Sequence, residues 1–98
     1  MTEDTIKTLF FTKQIYLVDV REPDEWDSGH IEGAISAPMS TLMHPESIQK
    51  LPKDRPLYLY CSRGNRAKLA KEILKPFFTH IEAITFNFSD LQKIWGQA

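Results

Sequence analysis

The segment Cys61-Ser62-Arg63-Gly64-Asn65-Arg66 gathers the residue types best suited to chemistry: the chain's one cysteine, two arginines, a glycine and small polar side chains. Apolar Leu57-Tyr58-Leu59-Tyr60 precedes it and reads as a strand, while Ala67, Ala70, Ile73 and Leu74 follow at helical spacing. A tight strand-to-helix turn aims backbone N–H groups inward as a nest for negative charge. Gly64 can supply the positive φ or close approach such a turn needs, and the helix sets its positive end beneath the sulfur. The chemistry this favours is nucleophilic, because the thiolate is the reactive form of cysteine and helix starts and nearby cations stabilise it. Holding a thiolate by about two pK units needs ~2.7 kcal/mol. A helix terminus gives ~0.3–1 kcal/mol, up to ~2 when partly buried, so dipole, loop amides and Arg63 must act together. A lone cysteine at a strand end is more often a small buried hydrophobe. Core packing, however, calls for none of these polar neighbours. Cys61 is therefore the candidate nucleophile, and Ser62, Arg63, Gly64, Asn65 and Arg66 the candidate substrate loop.

Alternating strands and helices are expected to position that loop. Ile15–Val20 is a compact apolar run, read as a strand covered on both faces. Pro23 and the acidic residues after it suit a short helix that Gly29 ends. Ala34–Ala37 reads as a short strand stopped by Pro38, and Pro45–Leu51 as a short helix with Ile48 and Leu51 inward. After the Cys61 loop comes a helix over Asn65–Leu74, ended by Pro76. A last strand is expected over Ile81–Phe86. Ser89-x-x-Gln92 resembles a capping box opening a final helix with Leu91, Ile94 and Trp95 inward. This order predicts an α/β domain with a mostly parallel sheet. In such sheets, sites form beyond the carboxyl ends of the strands, where Cys61 falls.

Composition narrows the function. The 98 residues suit one domain, residues 1–98, and the net charge of -1 gives no footprint for nucleic acid or an anionic membrane. No apolar run is long enough to span a bilayer. One cysteine makes no internal disulfide, and with three scattered histidines a metal site has little support. Thr2-Glu3-Asp4 carries no apolar leader core, so a cytoplasmic location is expected, or a periplasmic one if a leader has been removed.

Two stretches resemble the rhodanese family. Leu17-Val18-Asp19-Val20-Arg21-Glu22-Pro23-Asp24-Glu25-Trp26, with Gly29-His30-Ile31-Glu32-Gly33-Ala34-Ile35 and Pro38, is similar to its first signature; Tyr60–Ala67 is similar to its active-site loop. Both occur in the family's order, and the small stand-alone bacterial members of phage-shock type look nearest. The resemblance implies a rhodanese-like sheet of about four to five strands with helices on both faces. It also implies a sulfurtransferase without cofactor: Cys61 takes sulfane sulfur from thiosulfate or a persulfide donor and passes it to cyanide or a thiol.

Within that resemblance, Arg63 is the candidate for attracting an anionic donor. Cysteine phosphatases have five residues between Cys and Arg; here four lie between Cys61 and Arg66. That shorter loop disfavours phosphatase or arsenate-reductase chemistry and makes Arg66 a structural residue paired with a carboxylate such as Glu25. Asp19 and Arg21 are expected to brace the neighbouring loops, with a minor catalytic share open to Arg21, and His30 to hydrogen-bond in a turn. The family's usual Gly-Gly pair is replaced around Phe86-Asn87-Phe88. There Asn87 is expected to take the left-handed conformation and the phenylalanines to narrow the pocket. Expected partners are a small anionic sulfur donor, a thiophilic acceptor and a possible sulfur-accepting protein, with the chain a monomer that binds neither nucleic acid nor membrane. A non-catalytic binding module is the alternative; the retained Cys61 favours the enzyme.

Overall fold

The computed structural model describes residues 3–95. Four parallel strands, β1 (Tyr16–Asp19), β2 (Ile35–Ser36), β3 (Leu57–Tyr60) and β4 (Ile81–Ala83), lie in the order β2-β1-β3-β4. Val18 pairs with both Ile35 and Leu59, and Leu59 pairs in turn with Ala83. Five helices connect or flank them: α1 (Glu3–Phe11), α2 (Pro23–Asp27), α3 (Pro45–Gln49), α4 (Asn65–Leu74) and α5 (Phe88–Trp95). The α/β expectation holds, and every strand pairing is parallel.

Two-residue periodicity divides the core between the two faces of the sheet. Val18, Leu57, Leu59 and then Cys61 face α3 and α4, packing with Ile48, Leu51, Ala67, Ala70 and Leu74. Leu17, Tyr58 and Tyr60 face the other way, packing with Ile6 of α1 and Leu91 of α5. All of these are buried. The side chains of Ile94 and Trp95, expected inward, lie outside the described residues.

The structure corrects several boundaries. Helix α1 was not expected, although Ile6, Leu9 and Phe10 carry its apolar stripe at helical spacing. It ends on Lys13 at φ 61, with Gln14 N–H donating to the Leu9 carbonyl at 2.9 Å, a stop in which glycine is usual. The Asn65–Leu74 helix has its expected bounds, and a 3-10 turn over Lys75–Phe77 follows it. Strand β4 stops at Ala83 rather than Phe86. Helix α5 opens at Phe88, so Ser89 is not a cap; the Asn87 carbonyl takes the N–H groups of Asp90 and Leu91, each at 3.1 Å.

At the end of β1, its last residue Asp19 forms a buried ion pair with Arg21 on the α5 side. Asp19 accepts the Arg21 backbone N–H at 2.8 Å and the guanidinium at 3.0–3.1 Å. Arg21 also donates to the Gly29 carbonyl at 2.6 Å and lies 3.8 Å over the Phe88 ring. The Tyr60 ring stacks on the same Phe88, and its hydroxyl accepts the Ile31 N–H at 3.2 Å. Burial, reinforced by the charge of Asp19, pushes the Tyr60 phenol well above its ordinary value, so it stays neutral. Arg21 thus ties β1 to the loop after α2 and to the start of α5, the bracing expected of it.

Removing one member of a buried pair strands the other charge. Asp19→Ala is expected to lower unfolding stability by ~3–5 kcal/mol, against less than about 0.5 kcal/mol for Glu72→Ala in the exposed Lys75–Glu72 pair. Urea unfolding checks this; equal losses from the two variants overturn the bracing role.

Candidate active site

Alternation along β3 delivers Cys61 to the α4 face, immediately before the turn into that helix. Gly64 precedes the helix at φ 94, ψ -20. A Cβ there would stand 3.1 Å from Thr85 Cα and 3.2 Å from its carbonyl oxygen. Left-handed backbone and close approach to the β4–α5 connection therefore both require glycine. The connection also fastens the loop, the Phe88 N–H donating to the Ser62 carbonyl at 2.9 Å.

This turn aims two amides at the sulfur. Cys61 Sγ accepts the N–H of Gly64 at 3.0 Å and of Ala67 at 3.3 Å. Both belong to the start of α4, where backbone donors lack partners within the helix. The cysteine is only 1% exposed, yet it lines a pocket of about 310 Å³ with Glu25, Ser62, Arg63, Asn65 and Arg66. One side of the sulfur packs in the core and the other meets the pocket. Of these contacts, the Ala67 amide was not expected, nor Thr85 as the platform under Gly64. The first was readable from a helix starting at Asn65; the second needed the tertiary fold.

The two loop arginines have different fates. Arg66 donates to Glu25 through both terminal nitrogens, Nη1 to Oε1 at 2.6 Å and Nη2 to Oε2 at 2.9 Å. Ser62 Oγ donates to Glu25 Oε2 at 3.1 Å and accepts from Arg66 Nη2 at 3.2 Å. Glu25 Oε1 also accepts the Glu22 N–H at 3.1 Å, across the start of α2. The guanidinium of Arg66 is the main cause that brings the Glu25 carboxyl down to about 2, and Glu25 in return raises Arg66. Arg63 is exposed and has no ion pair or hydrogen bond among the described residues.

The remaining candidates lie apart from the sulfur. Asp19 and Arg21 are buried behind the loop and do not line the pocket. His30 contacts the Trp26 carbonyl through Nδ1 at 2.9 Å and stacks on the Trp26 ring at 3.6 Å, as a turn residue does. Asn87 is not left-handed; Lys13 is the one non-glycine residue with positive φ among those described. Nor do the phenylalanines narrow the pocket, since Phe86 packs with the α1 side of the core and Phe88 under Arg21. Among the described residues no His, Cys, Asp and Glu cluster could hold a metal ion, and no helix is long and apolar enough to cross a membrane.

The rhodanese-like domain family matches residues 2–91. The probable adenylyltransferase/sulfurtransferase MoeZ of Mycobacterium tuberculosis is 43% identical over 63 residues, 64% of this chain and 16% of its own length. Thiosulfate sulfurtransferase PspE of Escherichia coli is 32% identical over 66 residues, 66% of this chain and 64% of its own. This chain thus spans less than two thirds of either relative. A rhodanese-related protein from Thermoplasma volcanium superposes with a TM-score of 0.80 at 26% identity, over 100% of this chain and 93% of its own.

Two measurements test this geometry. The folded Glu25 carboxyl titrates near 2, whereas an unfolded one titrates near ~4.3. A depressed carboxyl contributes stability in full above its unfolded value and loses it as pH falls toward the folded one. Unfolding stability is therefore expected to decline from about pH 4.5 downward in the wild type, and less steeply in Glu25→Gln; parallel declines refute the pairing. Gly64→Ala is expected to cost ~1–3 kcal/mol and to slow alkylation of Cys61 by iodoacetamide under conditions where it remains folded. An unchanged alkylation rate removes the turn from the account of the sulfur's reactivity.

Proposed function

Because this chain belongs to the rhodanese-like domain family, we propose that it is a sulfurtransferase carrying sulfane sulfur as a persulfide on Cys61. The observation that carries this reading is the environment of Sγ: two amides at the start of α4 point at it while its open side faces the pocket. That arrangement supports an anion on Sγ, the thiolate, with donors already in place before reaction.

The cycle has two halves. Thiolate Sγ attacks the outer sulfur of a donor such as thiosulfate; a new S–S bond forms, the old one breaks, and its electron pair leaves with sulfite. A thiophilic acceptor such as cyanide or a thiolate then attacks the outer persulfide sulfur, returning the electron pair to Sγ as thiolate. Each half exchanges one bond to sulfur, dividing the transfer into two displacements. Arg63, uncommitted at the pocket edge, draws the anionic donor inward. Arg66 and Glu25 hold the loop's shape. PspE, named a thiosulfate sulfurtransferase, and MoeZ, named in part a sulfurtransferase, support sulfur transfer as the reaction class. The monomer, the cytoplasmic location and a protein acceptor belong to this same proposal.

Incubation with thiosulfate is expected to add the mass of one sulfur atom at Cys61, and addition of cyanide to remove it as thiocyanate. Cys61→Ser is expected to lower thiocyanate formation at least about a thousandfold. Turnover persisting in that variant excludes the persulfide route. A wild type that takes up no sulfur from thiosulfate or a low-molecular persulfide, by mass spectrometry, is a binding module instead.

A further inference from the structure

The pocket at Cys61 contains two arginines, and the fold cancels one of them. Both terminal nitrogens of Arg66 are held by the carboxylate of Glu25, with Ser62 Oγ bridging the pair. Glu25 is in turn fixed by the Glu22 amide at the start of α2, an element outside the loop. Among the lining residues, Arg63 is then the one positive charge without a partner. Once Cys61 is a thiolate, the lining charges of Cys61, Glu25, Arg63 and Arg66 sum to zero. A dianion approaching such a site gains little from its second charge, whereas a singly charged donor with the same reacting sulfur loses nothing.

We propose that Glu25 is a specificity-determining residue, capping Arg66 so that the pocket selects sulfur donors carrying a single negative charge over dianionic ones. The substrate class this points to is monoanionic sulfane compounds, alkyl persulfides and thiosulfonates, ahead of thiosulfate. The inference rests on the sulfurtransferase reading only in naming those donors; the cancelled charge is a property of the pocket itself.

Methanethiosulfonate and thiosulfate form a matched pair of probes. With either, Sγ bonds to the outer sulfur and the donor's S–S bond breaks, its electrons leaving on methanesulfinate or on sulfite. They differ in charge at the end that does not transfer. The quantity to measure is the ratio of their second-order rates of sulfur loading on Cys61, methanethiosulfonate over thiosulfate, followed by mass spectrometry. Glu25→Gln is expected to lower this ratio about tenfold by releasing Arg66 for the second charge. Glu25→Gln combined with Arg66→Gln is expected to restore it to within about twofold of wild type, a neutral pair replacing a cancelled one. A ratio unchanged in the single variant, or a drop that persists in the double variant, overturns the proposal.

If Glu25→Gln fails to fold, the double variant decides alone, and a change in its ratio beyond about fivefold in either direction overturns the charge account. Protection of Cys61 by sulfate against iodoacetamide supplies a readout that needs no sulfur transfer. It is expected to strengthen about tenfold in Glu25→Gln and to revert in the double variant. Should the wild type take sulfur from neither donor, the sulfurtransferase reading fails, and this protection alone decides whether Glu25 governs the pocket's charge: no gain refutes it, and a gain that reverts upholds it.

Discussion

Two hydrogen bonds from the start of α4 to the sulfur of Cys61 depend on nearly every other feature of this small domain. They require β3 to end with Cys61 on the same face as Leu57 and Leu59, which strand alternation supplies. They require the chain to reverse into a helix within a few residues, which Gly64 permits at its positive φ. They also require that turn to be held from below, by the backbone of Thr85 and the amide of Phe88. The sheet, the turn and the β4–α5 connection therefore have one common product, a sulfur atom bordered by amide hydrogens. Amides preorganised in this way need no rearrangement when negative charge develops beside them.

The charged groups behind that loop are arranged by depth. Asp19 and Arg21, buried on the far side of the sheet, satisfy one another and the Gly29 carbonyl, with the Phe88 ring against the guanidinium. Desolvation makes such a pair a poor net source of stability but a costly one to break. Glu25 and Arg66 are about one third exposed, at 30% and 36%. Their fork-on-carboxylate geometry fixes orientation more than it adds energy. Arg63 is exposed and has no ion pair or hydrogen bond among the described residues. From interior to solvent the cations pass from fully committed to uncommitted, so the unpaired positive charge lies on the exposed side of the loop.

Local patterns made part of this legible in the sequence. Cysteine, glycine and arginine between an apolar run and a helical stripe located the loop, and loop length together with family resemblance pointed Arg66 to Glu25. What remained hidden was set by tertiary contacts. Helix α1 has an apolar stripe, but its stop falls on Lys13, with no glycine to announce it. Ile84 and Thr85 look like strand, and Ile84 still donates to the Leu59 carbonyl at 2.7 Å, but Thr85 turns away to lie against Gly64. Ser89 and Gln92 have the spacing of a cap, but Asn87 supplies the carbonyl that takes the first helical amides, and α5 begins a residue earlier. Phe86 and Phe88 follow the last strand toward the site in sequence while their rings turn into the core and under Arg21.

The placement of Cys61 within a packed cluster has a geometric consequence. Val18, Leu59 and Ala67 of that cluster, like the cysteine itself, are essentially without solvent exposure, and interiors of this density have no room for another atom as large as sulfur. Whatever becomes bonded to Sγ can extend in one direction alone, into the pocket that Cys61 lines with Glu25, Ser62, Arg63, Asn65 and Arg66. A cargo atom would thus protrude while its anchor stayed sheltered, reachable by a second molecule that need never enter the protein.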